Sequence, residues 1–254
     1  MARLPDSGYV RLGAARDAVI FDCGRIGPDD NPAHAHADFL AIEASVYGKR
    51  LIVDPGVPTY TAGERRTASR AAASHNGPQL DGIEPVEFWK SFRVGRRGIA
   101  YELRDERLAG LAPLWCAGRH TGYAHLGVEV RRYVGLWPGF GLLVADLWRG
   151  PVRAPEASRF LIPGIWRPDG DGFKLEGARA VPVCLYGSPA PVEAARIWPR
   201  FDVETPAHRL TVRPAPASDG TRRAAMFFRW SDGAASPNLA ALRDQFDLLA
   251  AAVE

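Results

Sequence analysis

Beyond Gly82 the sequence is cut into short apolar runs by glycine, proline and charged turns, and this spacing leaves room for little besides β structure. The runs 88–94, 99–103, 128–136, 142–148, 160–162, 181–186, 192–197, 208–212 and 224–229 read as strands. The turn Trp137-Pro138-Gly139-Phe140-Gly141 joins two of them as the clearest hairpin. With 26 Gly and 21 Pro, tight turns are plentiful and long helices are not expected. One helix, about 237–253, stands out: Ser236 as its cap, Pro237 in its first turn, and Leu239, Leu242, Phe246, Leu249 and Val253 at helical spacing. Upstream, 9–12 and 18–21 suggest a hairpin, 39–46 reads equally as helix or strand, and Leu51-Ile52-Val53 is a buried strand ended by Asp54-Pro55-Gly56. The expectation is one all-β domain over 1–254, a large antiparallel two-sheet β-sandwich with a short C-terminal helix.

Composition narrows the function classes. The 32 basic and 29 acidic residues form no basic run, which argues against nucleic acid as a partner. No stretch is long and apolar enough to span a bilayer, and the first residues lack the apolar segment of a signal peptide. Cys23, Cys116 and Cys184 are odd in number and widely spaced, which argues against a disulfide framework or a cysteine-based zinc site. The cations are nearly all arginine, the better fork for planar carboxylates, which would suit an acidic substrate, although a GC-rich genome explains the same bias and is the plainer reading.

The chemistry is concentrated between His34 and Gly82. His34, His36 and Asp38 alternate, so an extended backbone would turn all three to one face. Asp54 ends a strong strand, and His75-Asn76 follows a run of small residues. Two imidazoles and a carboxylate are a donor set that suits Zn²⁺. Several families use H-x-H. Metallo-β-lactamase-type hydrolases need a histidine where Phe39 stands, and cupins need a glutamate nearer than Glu43 on the same face. A metal-dependent barrel hydrolase needs alternating strands and helices, which the later two-thirds lacks.

The combined pattern His34-Ala35-His36-Ala37-Asp38, Leu51-Ile52-Val53-Asp54-Pro55-Gly56 with Tyr60, and Ser74-His75-Asn76 leading to Leu80-Asp81-Gly82 resembles the heparinase II/III-like polysaccharide lyases and the related alginate lyases. Weaker echoes, among them Phe88-Trp89, Arg131-Arg132 and Val144-Ala145-Asp146, run in the family's order to about residue 165. The resemblance is to the family's C-terminal, supersandwich-like portion. It implies His36, Asp54 and His75 as ligands of a structural zinc near the active site. It implies His34 as catalytic histidine, Tyr60 as a second proton-transferring group on the opposite side of the sugar, and Arg66 and Arg70 as contacts for a uronate carboxylate. Asp38 and Asn76 would support the ligands from behind. The implied reaction is β-elimination in an acidic polysaccharide. The family's N-terminal helical toroid is absent from this sequence, so a toroid on another chain is an implied partner, and periplasmic or secreted action is the implied setting. A departure is Gly77-Pro78, where relatives place Thr and a β-branched residue. The alternative is a zinc-stabilised sandwich that binds or scaffolds carbohydrate without cleaving it, using an aromatic surface for which Trp89, Trp115 and Trp137 are candidates.

Overall fold

The N-terminal hairpin forms as expected: strand Tyr9–Ala14 pairs with Asp17–Asp22, Tyr9 opposite Asp22 and Ala14 opposite Asp17. Ala2–Leu4 adds on one side, and Ile42–Val46 and Lys49–Ile52 on the other, giving a five-stranded sheet. The ambiguous segment 39–46 therefore resolves as a turn at Phe39-Leu40 followed by a strand with alternating burial. This computed structural model describes residues 1–104, 110–231 and 237–251.

A nine-stranded sheet forms the largest layer. Its centre is Arg222–Arg229, Gly141–Arg149, Glu129–Trp137 and Leu114–His120 side by side, all antiparallel. Period-two side-chain alternation sorts its residues to two faces. Val130, Val134 and Leu136 join Phe21, Ile42, Phe160 and Leu210 in the main core, whereas Tyr133, Ala145 and Phe227 meet Leu242, Phe246 and Leu249 of the C-terminal helix. A sheet covered on both sides needs apolar residues at nearly every position, and Gly141–Arg149 is buried throughout except at Arg149.

The layer facing it is divided. A second five-stranded sheet, built around Glu156–Pro163 and Val203–Arg213 with Pro78–Leu80 at its edge, lies beside the N-terminal sheet. The seam is held by the Val53 N–H donating to Leu161 O at 3.0 Å and by the buried Asn76. Asn76 Nδ2 donates to Ile42 O at 3.1 Å and Val53 O at 2.6 Å, and its Oδ1 accepts from Leu161 N at 2.8 Å. Together the two sheets make the second layer of the expected antiparallel sandwich.

Three local expectations are corrected. Asn238 caps the C-terminal helix, Leu239–Ala251, its Oδ1 accepting from Ala240 N at 2.9 Å and Ala241 N at 3.3 Å; the expected cap Ser236 and the last stripe residue Val253 lie outside the described residues. Segment 88–94 is a separate two-strand hairpin, Phe88–Trp89 with Arg93–Val94, and not a sandwich strand. Strand Leu114–His120 escaped the sequence reading because small Ala117 and Gly118 blur its alternation; a Cβ on Gly118 would lie 2.6 Å from Cys23 Sγ. Among the described residues no helix is long and apolar enough to cross a membrane.

Candidate active site

The H-x-H segment is not a strand. Pro32–His34 is one turn of 3-10 helix, Ala35 is extended, and the chain turns again at Phe39-Leu40. Burial still alternates along it: Ala35 and Ala37 are buried, while His34 is exposed and His36 and Asp38 are half-buried. The loop is held from below by a seven-residue helix, Glu64–Arg70, that the sequence reading did not include. Arg70 Nε donates to Ala35 O at 2.7 Å and Nη2 to Pro32 O at 3.3 Å, and its own carbonyl accepts from Ala37 N at 2.8 Å. Arg66 Nη2 donates to Ala33 O at 3.0 Å, and Nη1 to His36 Nε2 at 2.9 Å. Both arginines, expected to meet a substrate carboxylate, are wholly buried; here they hold the backbone of the histidine loop.

At the surface end of this loop the rings of His34 and Tyr60 touch, centroids 5.2 Å apart and edge to face. The two therefore stand side by side and face one stretch of surface. Arg66 lies 5.1 Å from the Tyr60 ring centroid on one side, and Phe201 stacks on Tyr60 at 5.5 Å. Tyr60 follows the Asp54-Pro55-Gly56 turn, which can run only where it does with glycine: Gly56 has φ 75° and a Cβ there would lie 2.2 Å from Trp198 O.

Below this pair is a polar cluster. One ligand atom each from His36, Asp38 and His75 falls within 4.8 Å of the others, an arrangement able to hold a metal ion. His75 is fully enclosed; its Nδ1 is 2.7 Å from Asp54 Oδ1, and its buried Nε2 has no hydrogen-bond partner among the described residues. Asp54, expected as a ligand, thus spends Oδ1 on His75, while Asp38, expected behind the ligands, offers an oxygen to the cluster. An orphaned, buried imidazole nitrogen beside a second imidazole and a carboxylate fits a Zn²⁺ donor set, with Asp54 fixing the tautomer of His75 from its other nitrogen. Asn76, expected beside the ligands, works at the sheet seam. Gly77 next to it has a direct cause: a Cβ there would be 2.7 Å from Phe39 O.

The electrostatics set the two imidazoles apart: His36 is held neutral, whereas His75 keeps its proton until a metal ion displaces it. Burial, His75 and Arg66 push His36 down to about 3, so it stays neutral, with Nε2 accepting from Arg66. Burial alone would lower His75, but the Asp54 carboxylate beside it wins and lifts it to about 9. Asp22 was not singled out from sequence. It closes a cavity of about 380 Å³ with Tyr9, Asp38 and Asp54, and burial followed by repulsion from Asp38 raises it to about 7. An aspartate ending an apolar strand was the available signal.

The family described as Heparinase II/III-like, C-terminal, matches residues 1–213 of the chain. No curated protein matches it in sequence. Among solved structures it is similar to a heparinase III gene product with methylated lysines, at 16% identity and a TM-score of 0.67 over 92% of this chain and 36% of that one. It is also similar to the heparan sulfate lyase HepC from Pedobacter heparinus, at 15% identity and a TM-score of 0.67 over 93% of this chain and 37% of that one. The chain spans little more than a third of the length of these proteins, and at such identities the likeness is one of fold.

Proposed function

The chain belongs to the heparinase II/III-like family, matching its C-terminal domain, and on that premise we propose that it is the sandwich part of a polysaccharide lyase cleaving uronate-containing glycans by β-elimination. The observation that carries the reading is the contact of His34 with Tyr60, groups 26 positions apart brought ring to ring on the surface above a metal-competent cluster.

In the reaction a base removes the C5 proton of the uronate, the freed electron pair forms the C4–C5 double bond, the C4–O4 bond breaks, and the departing O4 takes a proton. His34 and Tyr60, side by side rather than on the opposite sides of the sugar that the resemblance implies, divide these two transfers on one face of the ring. The uronate carboxylate gathers negative charge as C5 is deprotonated and needs fixed positive charge or hydrogen-bond donors near it. Arg66, 5.1 Å from the Tyr60 ring centroid, supplies such a charge from beneath the surface. His36, Asp38 and His75 would hold zinc, with Asp54 steering His75. When bound, the ion would supply a fixed positive charge that braces the loop. The remaining part of the cleft belongs, in this reading, to a helical toroid domain of the kind the family resemblance implies.

The test is absorbance at about 232 nm, where the unsaturated product of uronate elimination absorbs, on a panel of heparan-type, alginate and other acidic polysaccharides. Removing one proton-transfer group costs about 10²–10⁴ in rate. The expected result is therefore a rise for the wild type that collapses by at least about 100-fold in His34→Ala, with about one zinc per chain in both proteins. His75→Ala should lose the zinc. A rise that survives in His34→Ala would sink the catalytic assignment. No rise with zinc retained would favour either a half-site awaiting its helical partner or the second reading, glycan binding without cleavage, to which the exposed Trp89 gives independent support.

A further inference from the structure

The outer face of the helix Glu64–Arg70 forms one wall of a groove of about 1120 Å³; the hairpin Phe88–Val94 forms the other. Ala62, Ala68 and Ala71 line the helix side, and Trp89, Phe92 and Arg93 the hairpin side. The indole of Trp89 is 54% exposed, yet it is held in place. Its Nε1 donates to Glu87 Oε1 at 3.0 Å, and the other oxygen of Glu87 accepts from Arg96 N at 2.9 Å. A Cβ on Gly95 would be 2.8 Å from Trp89 Cε2, so the ring packs closely on a position only glycine leaves open. Its remaining surface faces the groove and solvent.

Two cations line the same groove. Lys90 and Arg93 are exposed, and neither has a carboxylate partner among the described residues; Glu64 is the one acid lining the groove. The hairpin is also tied to the candidate active site. Ser91 Oγ accepts from Gly63 N at 3.0 Å, and Arg70 lies 4.3 Å from the Phe88 ring centroid and donates to Lys90 O at 3.4 Å. The same Arg70 holds Ala35 O in the histidine loop, so a single buried side chain joins the groove to the loop that carries His34.

We propose that this groove is an accessory subsite for an anionic glycan chain, a pyranose ring stacking on the free face of Trp89 while its carboxylate or sulfate lies against Lys90 and Arg93. A rigid aromatic ring presents a large apolar area at little entropic cost, which suits the apolar face of a sugar. Two unpaired cations beside it select for negative charge. This inference rests on the reading of the domain as one that handles acidic polysaccharide.

The probe is a heparan sulfate hexasaccharide, with neutral cellohexaose as comparison, titrated calorimetrically into the chain in a His34→Ala background so that the probe stays intact. Truncating an aromatic anchor typically costs more than a kcal/mol, so Trp89→Ala should weaken hexasaccharide binding by about tenfold or more. Trp89→Phe, which keeps a stacking face, should stay within about threefold of the parent. The Lys90→Ala/Arg93→Ala double variant should weaken the acidic probe and leave cellohexaose unchanged. All of these side chains are exposed, so thermal melts should overlay that of the parent. Unchanged affinity in Trp89→Ala, with the parent binding the probe, would overturn the subsite alone and give the groove to a protein partner. A parent that binds no acidic hexasaccharide would overturn the subsite and the polysaccharide reading together.

Discussion

Arg132 and Arg70 are both completely buried, but they are neutralised in different ways. Arg132 faces Asp146 directly across the ladder between Glu129–Trp137 and Gly141–Arg149, and the two form a two-pronged pair with both bonds at 2.7 Å. Its remaining donors reach Leu40 O at 2.9 Å, Asn76 O and Ser158 Oγ at 3.3 Å. Among the described residues Arg70 meets no carboxylate; its donors go to the carbonyls of Pro32, Ala35 and Lys90 and its guanidinium covers Phe88. Burial and the neighbouring Arg66 push its pKa down to about 10. A fully paired charge in the middle of a sheet is a structural tie. Buried charges matched only by carbonyls and rings leave positive potential beside His36 and Tyr60, where a reaction that builds negative charge can use it.

Breaking the paired arginine should have the largest effect on stability. Asp146→Asn leaves Arg132 buried without its counter-charge, and removing one member of such a pair costs about 3–5 kcal/mol. Chemical denaturation of the variant should show a loss of that size, and a loss below about 1 kcal/mol would mean the pair is not the tie described here. Arg70→Met should behave in the opposite sense. No carboxylate is orphaned, so the stability loss should be smaller, on the order of 1–3 kcal/mol for the released carbonyls. The loop carrying His34 should lose its register, and turnover of acidic polysaccharide should drop about 100-fold, the cost of misplacing a reacting group by about 1 Å. Equal stability losses in Asp146→Asn and Arg70→Met, with turnover intact in the latter, would erase the distinction.

A third prediction uses a titrating neighbour of Arg132. His120 is buried between Phe39 and Tyr123, and burial followed by the charge of Arg132 lowers it from 6.5 to about 3. Between those values the unfolded chain binds the proton and the folded chain does not, so this contribution to stability is present above about pH 6.5 and is lost as pH falls. From pH 7 to pH 5 the loss amounts to about 2 kcal/mol. His120→Phe should remove that part of the acid sensitivity and flatten the curve over this window. An unchanged slope would show that His120 is not held neutral.

The members of the site were largely visible in the sequence, whereas their roles were not. His34, His36, Asp38, Asp54, Tyr60 and His75 were all named from motifs, and they do gather in one place. Which carboxylate offers its oxygen to the two imidazoles was not readable, because Asp38 and Asp54 come from different segments of the loop-and-strand framework. Arg66 and Arg70 were expected to meet a substrate carboxylate, and their burial was not readable because the helix Glu64–Arg70 is short and rich in small and charged residues, with no apolar stripe to reveal its buried face. Asp22 and Tyr9 entered the neighbourhood only through strand pairing at the far end of the N-terminal hairpin.

Sequence alone determined the β class, most of the strand spacing, the C-terminal helical stripe and most of the groups that gather at the candidate site. Those properties are local: alternation, turn residues and motif spacing act over a few positions. The division of the facing layer into two sheets, the seam held by Asn76 and the contact of His34 with Tyr60 were decided by tertiary structure. Each depends on bonds between residues tens of positions apart, such as Leu161 N to Asn76 Oδ1 across 85 positions, and no local pattern specifies which distant carbonyl or ring a side chain will meet.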